Sequence, residues 1–521
     1  MRFKSILPAG ALLLAAPALG AAPTPAPAPA QGQTAPAIDL ETARSAVGHT
    51  DFTRLTTDRA YAGQMLAYLD RIASVAAGDV DATLNIDVLR LFALATLERS
   101  DEIRTVVDRM LERRPREAHL YGGPIYASLA IPDFQRAVAV VETASRNVPA
   151  SGWSDLRGLF DRDTMGPLLY RLHTDHQEAA RVRLAQALFR IGWPGGGDAD
   201  SADNLRSILI DDRIAHDDSA GAADYAAGIT TTGTIVPMLV RTRYDRIVAP
   251  GQDRIQLLRH ALDERDRETA AALAAAPANR QAVLDRAQHL RATGRNAEAY
   301  ALLQPFTRDV RATVAADEQG MWLVNEAAYA LSALGRDADA MRLMERIAAL
   351  PVADNISLVS AFINRNDILF AAGRYEEALA WGQRLDRDYS RFASDFGKMW
   401  IAAGLVCAYA GLNRGAEAAP QLERLRTTGS TANPAALTLA YLCVGDSDAA
   451  AAVLVHRLES EDPDSAIMAL QDYRIVDRAD AMKPVVDRLI ALRERPAVRD
   501  ALARVGRVLP LPLARSAVSG F

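Results

Sequence analysis

A chain of 521 residues exceeds what one hydrophobic core holds. Single cores stop growing at about 250–300 residues, so several domains or a repeat array are expected. A hydrophobic content of 50% excludes general disorder, and a formal net charge of -6 without a basic stripe argues against nucleic acid as a partner. Aromatics are only 6%, and alanine and leucine carry most of the apolar surface, which suits closely packed helices. Lysine is confined to Lys4, Lys398 and Lys483.

In chain order, residues 1–21 have the layout of a cleaved secretory signal peptide. Arg2 and Lys4 form the positive start, Ser5 to Leu19 run without a charge, and Ala18-Leu19-Gly20 puts small residues at the cleavage point. The apolar run is short for a membrane span and is broken by Pro8 and Pro17. No cysteine follows it, which argues against lipid attachment. Residues 22–37 are a Pro/Ala-rich linker, Pro23-Thr24-Pro25-Ala26-Pro27-Ala28-Pro29 running on to Pro36. A periplasmic or otherwise secreted location is the expectation. No later stretch reaches about 18 apolar residues, so no transmembrane anchor is expected after cleavage.

The folded body begins near Ile38. Helices are expected over 38–154, with Asp133-Phe134-Gln135-Arg136-Ala137, Ala144 and Pro149 as one helix and its stop. Residues 155–276 are expected to be irregular. Helical pieces at Glu178–Ile191 and Leu205–Ile210 are interrupted by Gly192–Asp198 and by His216–Thr234, where long loops are expected.

Over 277–460 one phrase recurs. It stands at Thr293-Gly294-Arg295-Asn296-Ala297-Glu298-Ala299, at Leu334-Gly335-Arg336-Asp337-Ala338-Asp339-Ala340 and at Ala372-Gly373-Arg374-Tyr375-Glu376-Glu377-Ala378. Val444-Gly445-Asp446-Ser447-Asp448-Ala449-Ala450 is a further copy, and Ala410-Gly411-Leu412-Asn413 a degenerate one. The period is roughly 34–41 residues. Each phrase lies between two helical patterns. The glycine suits the left-handed residue that ends the first helix, and the acids suit the first turn of the second. Residues 461–521 read as terminal helices and a tail. Cys407 and Cys443 are about one repeat apart. Ordinary helix-axis separations of about 8–10 Å exceed the reach of a disulfide, so two buried free thiols are expected.

The Gly373 to Ala378 run resembles the turn and second-helix start of a tetratricopeptide repeat (TPR). Pro115, one period before Pro149, fits the same family in the N-terminal half. The resemblance is good over about 280–460, fair over 85–150 and poor over 155–275. It implies an all-α fold, an α-solenoid of stacked antiparallel helix pairs in a TPR-like superhelix.

Catalytic signatures are weak throughout. Gly195-Gly196-Gly197 lacks the Gly-Lys-Ser/Thr of a phosphate loop. Asp198, Asp200 and Asp203 miss calcium-loop spacing. In His173-Thr174-Asp175-His176 a helix would put both histidines on one face, but a metal needs more convergent ligands. His216-Asp217-Asp218 is expected in a loop too mobile for catalysis. No catalytic, cofactor or metal residue is assigned, and no enzyme activity is expected.

The TPR resemblance implies a groove lined by the first helix of each pair. Its candidate residues are Trp322, Asn325 and Tyr329, then Ile363 and Asp367, then Lys398, Ile401 and Leu405. The expected function is an exported scaffold or adaptor for a protein or peptide partner, serving envelope assembly, secretion or polysaccharide handling. The alternatives are the helical platform of an envelope enzyme and a small-ligand binder in the middle region.

Overall fold

The computed structural model describes residue 41 and residues 50–515, apart from 114–115, 131–132, 195–197, 249–250, 318, 354, 430–432 and 476–480. The expected signal peptide, the Pro/Ala linker and the last residues of the tail lie outside the described residues.

The chain forms two compact units, residues 1–195 and 196–521. The first contains α1 (Phe52–Thr57), α2 (Arg59–Ala76), α3 (Val80–Thr96), α4 (Ser100–Arg113), α5 (Gly122–Ala130), α6 (Phe134–Asn147), α7 (Trp153–Leu159), α8 (Arg162–Thr174) and α9 (Glu178–Arg190). The second begins with α10 (Ala199–Ala215), α11 (Ser219–Ala226), α12 (Thr232–Val240) and α13 (Arg254–Ala275). It continues through α14 (Arg280–Ala292), α15 (Asn296–Leu303), α16 (Val310–Ala316), α17 (Gln319–Ala333), α18 (Asp337–Ala348), α19 (Leu358–Ala371) and α20 (Tyr375–Arg384). It ends with α21 (Asp395–Gly411), α22 (Gly415–Arg424), α23 (Pro434–Val444), α24 (Ser447–Leu458), α25 (Asp464–Ala469), β1 (Asp472–Ile475), α26 (Lys483–Leu492), α27 (Pro496–Val505) and β2 (Pro510–Ala514). Within each unit consecutive helices pack as antiparallel pairs, and each pair packs on the next. The fold is an all-α solenoid. Among the described residues no helix is long and apolar enough to cross a membrane.

Helix starts carry side-chain acceptors. Asp58, Asp79, Asp133 and Asp161 in the first unit, and Asp253, Asn279, Ser394, Asn433 and Asp446 in the second, accept first-turn backbone N–H groups. Several helix ends share one turn. A left-handed residue follows the helix, and the next N–H donates back to a carbonyl of its last turns. At Gly294, Gly335, Gly373 and Gly445 the left-handed residue is glycine. The returning bonds run from Arg295 N to Leu290 O, Arg336 N to Leu331 O, Arg374 N to Leu369 O and Asp446 N to Tyr441 O.

The same turn occurs without glycine. Glu98, His176, Asp217 and Asn413 have φ of 60°, 55°, 58° and 58°. The next N–H groups, of Arg99, Gln177, Asp218 and Arg414, donate to Leu94 O, Leu172 O, Arg213 O and Tyr409 O. This corrects two expectations. His216–Thr234 is not a long loop: Asp218 caps α11, accepting from Gly221 N, and α12 follows. A Cβ on Gly221 would lie 2.5 Å from the Asp218 carboxylate, so the missing side chain admits the cap. In the degenerate copy Asn413, not Gly411, turns the chain. Gly411 instead lets the Tyr375 ring approach, since a Cβ there would lie 2.5 Å from it.

The cysteines correct a third expectation. Cys407 on α21 and Cys443 on α23 form a disulfide, with Cα atoms 5.1 Å apart. Small buried residues let these first helices of neighbouring pairs come closer than usual. They are Ala402, Ala403 and Ala408 on α21, and Ala436 and Ala440 on α23.

The end of the second unit is not purely helical. β1 and β2 pair in parallel, Tyr473 opposite Leu511. Pro510 and Pro512 hold their neighbours extended, and Leu511 and Leu513, each following a proline, are fully buried. This end also returns to the beginning of its own unit. Arg507 N donates to Val240 O at 2.9 Å, and Arg241 forms a bridge with Gly506. Arg507 pairs with Asp245, and Arg241 with Asp464 at 2.8 Å. Between these points the segment runs beside two helix-pair turns. Ile475 touches the Gly294 turn, and Ala481 N donates to Ala371 O.

Candidate partner-binding face

The site is built on α17, α19 and α21, the first helices of three successive pairs. Ser394 caps α21 by accepting from Gly397 N, and Trp381 donates its indole N–H to Phe362 O, tying α20 to α19. On this frame Trp322, Tyr329 and Ile363 are half-buried and Asp367 is exposed. Tyr329 donates to Asp367 Oδ2 at 3.2 Å, and Asn364 donates to Asn325 Oδ1 at 3.1 Å. Tyr329 and Asp367 therefore share one surface across two pairs. Asn325 is 4% exposed and serves as the buried link beneath. Lys398 is half-buried and pairs with Asp395 on its own helix at 2.9 Å.

Ile401 and Leu405 are not brought to this surface. They are 0% and 2% exposed, and a Cβ on Gly382 would lie 2.9 Å from Leu405 Cδ2. These two side chains fill the space between pairs. The outward row on α21 is set by Phe396 and Trp400, ring centroids 6.2 Å apart and edge to face. Phe396 is 55% exposed, and Ile356, just before α19, is 61% exposed. Sequence reasoning missed Phe396 and Ile356. Aromatics four residues apart at the very start of an apolar helix were the available signal.

A polar row adjoins this face. Asp266 on α13 receives Arg286, Arg295 and His289; burial alone would raise its carboxyl, but Arg286 and the other cations hold it below the usual range. His289 is buried and pushed down to about 4, against the pull of Asp266, and is neutral at pH 7. Asp285 is buried and pushed up to about 6, opposed by Gln281 and Arg265. Arg291 and Glu326 form a buried ion pair, and Arg291 also lies over the Tyr329 ring at 5.1 Å.

The clusters singled out for chemistry lie at helix ends or, for Asp200 and Asp203, inside α10. His173 ends α8 and bonds Glu178 at 2.6 Å, while His176 is the left-handed residue, so the two histidines do not share a helix face. Asp198 caps α10, and Asp203 is buried, accepting from the N–H groups of Thr230 and Thr231. His216 ends α10 and contacts Asp212 O, Asp217 pairs with Arg246, and Asp218 pairs with Arg213. Among the described residues no three His, Cys, Asp or Glu side chains converge as a metal site.

No known family matches the sequence, and no curated protein does. Among solved structures, that of Naa15/Naa10 bound to HypK-THB aligns over 89% of this chain and 77% of that chain, with 15% identity and a TM-score of 0.28. Likeness at that level carries no functional argument.

Proposed function

We propose that this chain is an exported, TPR-like scaffold or adaptor that holds a protein partner in the cell envelope and has no catalytic activity of its own. One observation carries the reading. Ile356 and Phe396 are more than half exposed at the starts of successive first helices; Phe396 packs edge to face on Trp400, and Tyr329 meets Asp367 toward the other ends of α17 and α19. Large apolar side chains grouped on a surface mark binding sites more often than they mark chance exposure. The exposed Asp367, held by Tyr329, adds a polar contact to these apolar anchors, which suits a peptide or helix that needs both burial and register. The disulfide supports export, because such bonds persist in oxidising compartments.

A photo-crosslinking residue placed at Ile356 in the native host tests this. The expected result is one reproducible protein adduct, lost in the Phe396→Ala/Trp400→Ala double variant while the helical circular dichroism is retained. Adducts that are absent, or unchanged in the double variant, overturn the proposal. Export is checked separately by the N-terminal mass of the purified protein. A start near residue 22 is expected, and a chain retaining Arg2 and Lys4 refutes a cleaved signal.

A further inference from the structure

A cavity of ≈180 Å³ opens within the second unit, where α25 returns to α12. Its walls come from α10, α12 and the segments beside them. Asn204, Ser207, Thr234 and Asp464 supply polar groups, and Ile229 and Met238 supply apolar ones. Asn204 and Gly233 are exposed at its mouth, whereas Ile229 and Met238 are buried. Nothing in the scaffold reading uses this space.

Three features define what would fill it. The first is size. A cavity of about 150 Å³ admits benzene, so this one takes a single six-membered ring, with the ring's substituents reaching out at the open mouth beside Asn204 and Gly233. The second is charge. Arg241 pairs with Asp464 at 2.8 Å, and Arg243 pairs with Asp211 at 2.9 Å. Tyr244 donates its hydroxyl to the same Asp211 oxygen at 2.8 Å. The charges cancel two by two, and an ionic ligand would have to displace one of them. The third is unused hydrogen-bonding capacity. The side chains of Asn204 and Ser207 bond to no described residue. Asp464 Oδ1 is buried and accepts no hydrogen bond, although Arg241 is its ion-pair partner. A buried carboxylate oxygen in that state favours an O–H donor.

We propose that this cavity binds a small neutral polyhydroxyl molecule of the size of a single sugar ring. Its hydroxyls would bond Asn204, Ser207 and Asp464, and its C–H face would rest on Ile229 and Met238. The site is a binding site, with no group placed for chemistry on the ligand.

Saturation-transfer NMR on the full chain tests this, with glucose and N-acetylglucosamine as neutral probes and ethylammonium and acetate as ionic ones, each at about 10 mM. Saturation of at least one sugar is expected, with Kd in the millimolar range. Ser207→Phe, which fills the cavity and breaks no hydrogen bond within the protein, is expected to weaken binding about tenfold or more. Asn204→Ala is a surface change that leaves packing intact, and it is expected to weaken binding severalfold even if Ser207→Phe fails to fold. No saturation from either sugar, or saturation unchanged in the variants, overturns the proposal. Ethylammonium or acetate binding in preference to the sugars also overturns it, because the ligand would then be ionic.

Discussion

Burial and the neighbouring Arg286 and Arg265 keep His289 uncharged in the folded chain, outweighing Asp266. Its folded value of about 4 lies below the usual 6.5 or so of an unfolded histidine, so the unfolded chain takes up the proton first. The stability that His289 contributes is whole above about pH 6.5 and is lost as pH falls toward 4. Asp285 has the opposite sign. Its folded value of about 6 is raised above the unfolded one, so its contribution is whole below about pH 3.9 and is lost as pH rises through 6. Thermal melts should separate the two. His289→Gln is expected to flatten the loss of Tm between pH 7 and 4.5. In Asp285→Asn, stability relative to the parent should increase with pH over the same range. Asp203 acts by geometry. It is fully buried and accepts from Thr230 N and Thr231 N at 2.9 and 2.8 Å. Asp203→Ala leaves two buried N–H groups unsatisfied, a cost of about 2–4 kcal/mol. Faster hydrogen exchange at Thr230 and Thr231 is the expected readout.

Among the elements, the left-handed turn is the unit of repetition, and its cost depends on who occupies it. Gly335→Ala places a Cβ at φ 74° and is expected to destabilise by about 1–2 kcal/mol. His176→Gly should do the reverse and raise stability by up to about 1 kcal/mol. Melting curves compare the two, and a His176→Gly variant that melts as low as Gly335→Ala would refute the shared turn. The same residues show what the sequence makes legible. Glycine before Arg and an acid marks a turn on sight, and Arg295, Arg336 and Arg374 do pair with Glu298, Asp339 and Glu377. His176 and Asp217 carry no such mark, so the middle region reads as irregular although it turns in the same way. The helices were legible from their period. The face of α21 was not, because nearly every residue along it is apolar and the pattern fixes no outward side. The strands were hidden for a related reason: four or five residues have no period long enough to read.

For the whole molecule, the disulfide staples two neighbouring pairs. Reduction, or Cys407→Ser, is expected to cost about 2–4 kcal/mol. Chemical denaturation with and without reductant measures it, and loss should centre on α21 and α23. The second unit behaves differently from an open array. Repeat proteins ordinarily gain stability locally, each pair leaning only on its neighbours. Here the contacts of Arg507 with Val240 and Asp245 span most of the unit. A ribosome releases residue 240 long before residue 507. For that interval α12 lacks the backbone it will pair with, and the unit stays unfinished until residue 507 has been made. Late completion keeps a nascent polypeptide pliable, the condition a chain must meet if it is to be threaded through a narrow pore before it folds.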